Sequence, residues 1–187
     1  MVPRISKKTT ALEAALEIME KDGVSAVTYD SLAQATGMSK SGLIYHFPTR
    51  HDLLVDCHRY CAARWEEELV DIAGAPASAL DLRQRQRALV ISMGKNDPVI
   101  ELLMSIHSQQ HPDYSAPWDE VDSRWMPDPG AESDGDEDFA RIAITVLSTG
   151  LWVHDHITSR NLSAHNRELL TRRILDYIDS GGASPLI

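Results

Sequence analysis

The sequence predicts an all-α fold of about nine helices, and three observations support this prediction. Apolar residues recur three and four positions apart over most of the 187 residues, which is the spacing of one helix face. No segment shows a persuasive alternation of apolar and polar residues, as a half-buried strand would. Hydrophobic residues make up 43% of the chain and aromatic residues only 6%, a composition that suits a helical core of Ala, Leu and Ile.

The first helix is predicted from Leu12, Leu16 and Met19, which lie at helical spacing. Thr9 or Thr10 can cap its N-terminus, because a hydroxyl oxygen accepts a hydrogen bond from a free amide of the first turn. Gly23 ends the helix. Residues 24–28 then connect it to the next element.

Residues 28–54 carry the most informative pattern, a helix-turn-helix. A short helix over 31–36 is followed by Gly37, which can adopt a positive φ in the turn between two helices. Ser39 can cap the second helix, which Pro48 stops. The alternative is an ordinary helical hairpin whose polar face meets water. The outer face of the second helix is small and polar and suits a DNA groove: Lys40, Ser41, Gly42, Tyr45 and His46.

Six further helices are predicted over residues 50–72, 79–93, 99–107, 118–126, 139–157 and 164–178. Asn96-Asp97-Pro98 is expected to be a break, Pro112 to end the helix over 99–107, and Ser163 to cap the last helix. Residues 127–138, which combine prolines, glycines and acids, are expected to form a loop. The helix-turn-helix therefore lies within residues 1–48, and the remaining predicted helices lie within residues 49–187.

The net charge of −10 is distributed unevenly. Six of the 18 Lys and Arg residues but only five of the 28 Asp and Glu residues lie in the first 50 positions. DNA affinity depends on local charge more than on the total, so an acidic chain is compatible with a DNA-binding N-terminal domain.

Two absences from the sequence indicate the compartment. No run of about 18 apolar residues occurs, and none follows the basic N-terminus, so neither a membrane span nor a signal peptide is expected. Cys57 and Cys61 lie four residues apart on one predicted helix, a poor arrangement for a disulfide. We therefore expect a cytoplasmic protein without a membrane partner.

Residues 29–50 read Tyr-Asp-Ser-Leu-Ala-Gln-Ala-Thr-Gly-Met-Ser-Lys-Ser-Gly-Leu-Ile-Tyr-His-Phe-Pro-Thr-Arg and resemble the DNA-binding signature of the TetR family of one-component repressors. The resemblance implies a DNA-binding domain over residues 1–48 and a ligand-binding and dimerisation domain over residues 49–187. It also implies a homodimer on a near-palindromic double-stranded DNA operator. It places Leu32, Leu43 and Phe47 in the core. The DNA-facing residues that it implies are Lys7, Lys8, Thr9, Thr28, Tyr29, Lys40, Ser41, Gly42, Tyr45, His46 and Arg50.

The predicted ligand domain holds all four tryptophans together with several methionines, which suit a pocket for a planar aromatic or lipophilic cation. From spacing alone, plain core packing is the favoured interpretation. The segments around Trp65, Trp118 and Trp152 resemble multidrug-binding members of the family, and this favours a ligand role for at least two of them. Glu68, Glu101 and Asp155 could compensate a ligand's charge. The predicted ligand-binding residues are Trp65, Leu69, Met93, Leu103, Met104, His107, Trp118, Trp152 and Asp155.

The sequence contains no recognisable catalytic or cofactor motif, such as a Gly-rich phosphate loop or a His-Glu-x-x-His pair. We therefore expect neither an enzyme nor a cofactor. His107 and His111 lie four apart, as two metal ligands on one helix would. No tight third and fourth ligand is evident, so core or surface histidines are the favoured interpretation and no metal is expected.

The last two predicted helices carry more apolar surface than a small domain is expected to cover alone. They give the predicted dimer interface, which consists of Leu151, Leu170, Ile174 and Tyr177. The predicted function is a repressor released from its operator by a planar or lipophilic, cationic small molecule, with a multidrug efflux gene as the target that the resemblance implies. Two alternatives stay open: a sensor of a fatty acyl or aromatic acid, and a DNA-binding module without an effector.

Overall fold

The computed structural model describes residues 6–95, 99–128, 130 and 135–182. Within these residues the chain forms nine α-helices, two short 3₁₀ turns and no strand, which confirms the all-α prediction. No helix there is long and apolar enough to span a membrane. The helices are α1 (Lys7–Asp22), α2 (Tyr29–Thr36), α3 (Lys40–His46), α4 (Arg50–Ala73), α5 (Leu82–Met93), α6 (Val99–Ser108), α7 (Pro112–Trp125), α8 (Asp136–Ile157) and α9 (Ala164–Asp179).

The chain forms two compact units. The first unit comprises Met1–Ala63 and Val99–Trp118, and the second comprises Arg64–Pro98 and Asp119–Ile187. The first unit therefore contains α1 to α3, the first part of α4, and α6 with the beginning of α7. The second unit contains the rest of α4 and α7 together with α5, α8 and α9.

The helix ends of the first unit follow from local capping. Ser6, and not Thr9 or Thr10, caps α1: its hydroxyl oxygen accepts a hydrogen bond from the Thr9 amide at 3.0 Å. Gly23 ends α1 as predicted, and Gly37 ends α2 in the left-handed conformation at φ 69°. Ser39 caps α3 as predicted, because its hydroxyl oxygen accepts from the Gly42 amide.

Leu16, Leu32, Leu43 and Phe47 are buried in one core that joins α1, α2 and α3, and Met104 of α6 lies in the same core. Burial of this many large apolar side chains, at roughly 1.5–3 kcal/mol each, is the main source of stability for a domain of this size. The core fixes the orientation of α3 relative to the other helices of the unit.

The structure corrects two predicted boundaries. Pro112 begins α7 instead of ending the preceding helix, and α7 covers 112–125 where a segment over 118–126 was expected. Proline is tolerated in the first turn because its missing N–H would have had no partner there. The helix predicted over 79–93 begins only at Leu82, where Asp81 caps it, and a 3₁₀ turn over Ala77–Ala79 precedes it.

In the second unit, α5, α8 and α9 pack together around Val90, Ile144, Ile174 and Ile178. Ser163 caps α9 as predicted. The predicted break at 96–98 lies outside the described residues, and so do positions 129 and 131–134 of the predicted acidic loop, whose last residues begin α8 at Asp136.

Candidate functional site

Helix α3 presents a polar, solvent-exposed face. Lys40, Ser41 and Tyr45 are exposed, and the Tyr45 side chain is 83% accessible. Leu43 on the opposite face is fully buried. Gly42 and His46 are half-buried at the edge, and the ring of His46 packs edge-on against that of Tyr45 at 5.3 Å. The seven-residue helix therefore has the exposed hydrogen-bonding face that a groove-reading helix needs.

Two of the residues expected to face DNA form hydrogen bonds with the protein backbone. The hydroxyl of Tyr29 donates to the carbonyl oxygen of Phe47 at 2.6 Å, just after α3 ends. The guanidinium of Arg50 donates from Nε to Val27 O at 2.9 Å and from Nη2 to Val24 O at 2.7 Å. These bonds attach the first residue of α2 to the end of α3, and the segment before α2 to the first residue of α4. Tyr29 therefore fixes α3 against α2, and Arg50 fixes the start of α4 against the segment before α2.

The lysines around this face form surface ion pairs. Lys40 Nζ lies 2.6 Å from Asp30 Oδ1, and Lys8 Nζ lies 2.6 Å from Asp56 Oδ2 and above the ring of Phe47. Exposed pairs of this kind contribute about 0–1 kcal/mol, so Lys40 can exchange its partner for a phosphate at little cost. Lys7 is exposed. Thr9 bonds to Ser6, and Thr28 caps α2.

A buried histidine pair occupies the first unit between α4, α6 and α7. His58, which is fully buried, lies with Nε2 2.9 Å from Nδ1 of His107, and the indole N–H of Trp118 donates to His58 Nδ1 at 3.0 Å. An indole nitrogen only donates, so His58 Nδ1 must be the unprotonated acceptor. His58 therefore donates from Nε2 to His107. Both imidazole rings and the ring of Tyr114 stack at about 5 Å.

Burial keeps the histidine pair neutral. Desolvation, together with the neighbouring His107, lowers the pKa of His58 to about 4, and desolvation also lowers the pKa of His107. Protonation of His58 would also place a second N–H against the donating indole of Trp118. At neutral pH the pair therefore presents uncharged hydrogen-bonding groups.

The predicted ligand-binding residues are divided between the two units. The first unit contains Leu103, Met104, His107 and Trp118, and Met104 is fully buried in its core. The second unit contains Trp65, Leu69, Met93, Trp152 and Asp155. A cavity of about 190 Å³ in the second unit is lined by none of these nine residues; it lies between α5, α8 and α9.

Two of the acids expected to compensate a ligand's charge are already paired within the second unit. Asp155 accepts from Arg167 Nη2 at 2.8 Å and from the Leu162 amide, and these bonds hold its pKa below the usual range. Glu68 pairs with Lys95 at 2.6 Å. Neither carboxylate is therefore free for a ligand unless its partner leaves.

Sequence reasoning missed one carboxylate of the second unit. Asp122 on α7 is half-buried, and within the described residues its carboxylate has no hydrogen bond or ion pair. Desolvation, with a contribution from Asp119, raises its pKa to about 6. Trp125 lies three residues further on the same helix and is fully buried. The only indication of this carboxylate in the sequence was an acid three residues before a tryptophan on the same predicted helix.

The four residues predicted to form the dimer interface differ in their exposure to solvent. Leu170 is exposed, whereas Leu151 and Ile174 are buried within the chain's own fold and Tyr177 is half-buried beside the core. Other apolar side chains of α8 are exposed: Val146, Leu147 and Ile157. Of these exposed large apolar side chains, three lie on α8 and one on α9.

Two family models match the sequence. The model described as bacterial regulatory proteins, tetR family, matches residues 11–57, and the model described as a tetracyclin repressor-like C-terminal domain matches residues 83–179. The chain belongs to the TetR family. It is thus a TetR-family transcriptional regulator, and regulators of this family are typically DNA-binding proteins without enzymatic activity.

Several solved structures share this fold. A transcriptional regulator from Saccharomonospora viridis in complex with choline is 19% identical, with a TM-score of 0.67 over 92% of this chain and 95% of that chain. The multidrug binding protein EbrR complexed with imidazole is 18% identical, with a TM-score of 0.56 over 90% and 95%. The fatty acid degradation regulator FadR from Bacillus halodurans is 14% identical, with a TM-score of 0.54 over 97% and 100%. Among curated proteins none matches the sequence.

Proposed function

We propose that this TetR-family regulator is a homodimeric repressor that leaves its operator when a planar or lipophilic cation binds. The observation that carries the proposal is the exposed polar face of α3, held rigidly by the bonds of Tyr29 and Arg50. In the proposed mechanism the ligand stabilises a shape in which α4 is displaced, and the two reading helices no longer match the operator. DNA and ligand must then weaken each other's binding by the same factor.

Cationic ligands have support from two relatives and from one carboxylate of this chain. One relative was solved with choline and another is a multidrug binding protein. Asp122 is half-buried and its pKa is raised by desolvation, so a cation beside it would gain a Coulomb interaction with a carboxylate that water solvates incompletely. The sequence resemblance to the corynebacterial multidrug-binding repressor CgmR adds the proposal that the controlled gene encodes a drug-efflux transporter.

Dimerisation through α8 and α9 has support from their exposed apolar side chains. Val146 is 63% and Ile157 71% accessible, and Leu170 of α9 is also exposed. Covering such side chains stabilises an association by roughly 25 cal/mol per Å² of apolar surface. We propose that these residues, and not the buried Leu151 and Ile174, form most of the contact. A two-fold dimer requires a near-palindromic operator.

DNA binding is tested by the salt dependence of binding to the DNA upstream of the gene. Lys40→Ala should weaken binding and reduce the slope of log affinity against log salt by about one, because one phosphate contact is lost. Lys21→Ala removes the same charge at the exposed end of α1 and serves as the control. Equal losses in both variants would show that only overall charge matters and would count against the reading face.

The cation response is tested by quenching of tryptophan fluorescence with ethidium, with and without the upstream DNA. We expect saturable quenching at micromolar dye that the DNA weakens, and a markedly lower dye affinity in Asp122→Asn. Asp128→Asn, an exposed acid of the same charge, is the control. If the DNA leaves the quenching unchanged, the proposed coupling between ligand and DNA binding is refuted. If the dye causes no quenching while the DNA still binds, the proposed cationic ligand is refuted.

A sensor of a fatty acyl or aromatic acid is the second candidate, because a fatty acid degradation regulator shares the fold. An anionic ligand needs a buried basic partner. Arg167 is buried but already binds Asp155 and the Leu151 carbonyl oxygen. An acyl ligand that releases the DNA where ethidium does not would establish this candidate. DNA binding that ignores both compounds would instead indicate a module without an effector.

A further inference from the structure

Two histidines and one aspartate come together in the first unit, at the start of α4 and at the junction of α6 and α7. His51 Nε2 lies 2.8 Å from Asp113 Oδ2, and His111 Nδ1 lies 3.5 Å from the same oxygen. The three potential ligand atoms all lie within 4.8 Å of one another. His51 and Asp113 are 62 residues apart in sequence, so only the fold creates the cluster.

These distances suit a small divalent cation. Zinc binds imidazole nitrogen at about 2.0–2.1 Å and carboxylate oxygen at about 2.0–2.2 Å, so ligand atoms of a tetrahedral site lie roughly 3.3–3.5 Å apart. The Asp113 to His111 distance already falls there, and the Asp113 to His51 distance must open by about 0.5 Å. The three side chains are 40–57% accessible, so they can adjust and a cation can enter from solvent.

A buried tyrosine orients the first of these ligands. Tyr114 Oη lies 3.0 Å from His51 Nδ1 and is fixed by a ring that packs among His51, His58 and His107. Without metal, His51 donates from Nε2 to Asp113 and accepts from Tyr114. When a cation takes Nε2, the proton must reside on Nδ1, which then donates to Tyr114 Oη. Metal-bound histidines commonly have such a second partner.

The second histidine must give up one weak bond. His111 Nδ1 accepts the amide of Asp113 at 3.1 Å. That amide belongs to the first turn of α7, where N–H groups lack intrahelical partners and water can satisfy them. Asp113 is an exposed carboxylate, so it can exchange its hydrogen bond with His51 for the cation. The cost of assembling the site is therefore small.

We propose that His51, His111 and Asp113 form a site for a divalent transition-metal ion of the zinc, cobalt or nickel class. Imidazole and carboxylate ligands suit these ions, and water completes the coordination. The bound ion joins the first turn of α4 to the α6–α7 junction within the first unit. The sequence offered His107 and His111 as a possible ligand pair, and the lack of a third and fourth ligand led to the expectation of no metal. In the structure His107 bonds to His58, and His111 instead lies beside His51.

The test is a Co²⁺ titration of the untagged full chain, followed by the visible absorption of bound cobalt and by displacement with Zn²⁺. We expect one Co²⁺ per chain, and at least about tenfold weaker binding in His51→Ala, His111→Ala and Asp113→Asn. Tyr114→Phe, which keeps the ring, should weaken binding about tenfold through the second partner. His165→Ala on α9 removes an exposed histidine of the second unit and should change nothing.

A readout without cobalt uses thermal unfolding. Zn²⁺ should raise the Tm of the wild-type chain, because it binds the folded state, and should leave the Tm of Asp113→Asn unchanged. Failure of Co²⁺ to bind, or binding that the three ligand variants leave intact, would overturn the proposal. Equal weakening in His165→Ala would assign the cobalt to scattered surface histidines. None of these measurements depends on DNA binding or on an organic effector.

Discussion

Protonation of His58 should destabilise the protein in mild acid. The folded chain holds His58 neutral with a pKa near 4, whereas the same side chain in the unfolded chain titrates near 6.5. Between these values the unfolded state binds the proton and the folded state does not. The stabilising contribution of neutral His58 is therefore present above about pH 6.5 and is lost as the pH falls towards 4.

The size of this effect follows from the two pKa values. A difference of about 2.5 in pKa corresponds to about 3 kcal/mol over the full window. Only part of the range between the two pKa values lies above pH 5, so acidification to pH 5 corresponds to a loss of about 2 kcal/mol of stability. Relaxation of the surrounding side chains around a charged ring lowers the expected loss to about 1.5 kcal/mol between pH 7.5 and pH 5. The change is large enough to measure against the total stability of a domain.

The assay is urea unfolding at pH 7.5, 6.5, 5.5 and 5.0 for the wild-type chain and for His58→Gln. Glutamine can still accept from Trp118 and donate to His107 but does not titrate, so its stability should fall by about 1.5 kcal/mol less than that of the wild type. His165→Gln, at an exposed position, should keep the wild-type pH dependence. If His58→Gln loses stability with acid as steeply as the wild type, the neutral histidine pair is not the cause.

Three further substitutions test other parts of the structure by chemical denaturation. Ser39→Ala removes the cap of α3 and should cost about 1 kcal/mol, whereas Ser25→Ala at an exposed position should cost nothing measurable; equal midpoints would show that the cap is unimportant. Tyr29→Phe removes the bond to Phe47 O and should cost about 1 kcal/mol as well as DNA affinity; unchanged stability would deny that this bond supports α3. Gly94→Ala would place a methyl group 2.6 Å from Thr171 Oγ1 and 2.9 Å from Val90 O, so it should cost about 1–3 kcal/mol. Thr171→Ala in the same chain should recover part of that loss, and strict additivity would refute the contact.

The helix-turn-helix could be predicted because its signals are local. Gly37 and Ser39 act on their own turn and their own helix end, and both occupy the expected conformations. The buried positions Leu32, Leu43 and Phe47 follow from the same short pattern. Local chemistry of this kind is readable from a single sequence.

Predictions were ambiguous where the same residue type occurs in two kinds of local structure. Proline both follows helix ends and occupies first turns, and at position 112 it begins α7. Thr9 and Thr10 are of a residue type that commonly caps helices, but both lie inside α1. Ser6 precedes the helix and lies where the free amides of the first turn point. Only the tertiary environment decides between such alternatives.

Side-chain partners far apart in the chain could not be predicted. His58 and His107 are 49 residues apart, and Arg50 reaches the carbonyl oxygen of Val24 across 26 residues. Arg50 and Tyr29 carry the right chemistry for phosphate contacts, and in the structure their donors bind backbone carbonyls. Residue type indicates what a group can bind, whereas the fold determines what lies within reach.

The same bonds limit how α4 can move. Arg50, the first residue of α4, binds the carbonyl oxygens of Val24 and Val27 just before α2, and Tyr29 of α2 binds the end of α3. A displacement of the first turn of α4 must therefore carry α2 and α3 with it or break bonds that each contribute about 1–3 kcal/mol. Two turns further along α4, His58 is bonded to α6 and α7 through His107 and Trp118. Within this unit, a short series of direct contacts therefore leads from α6 and α7 through α4 to α2 and α3.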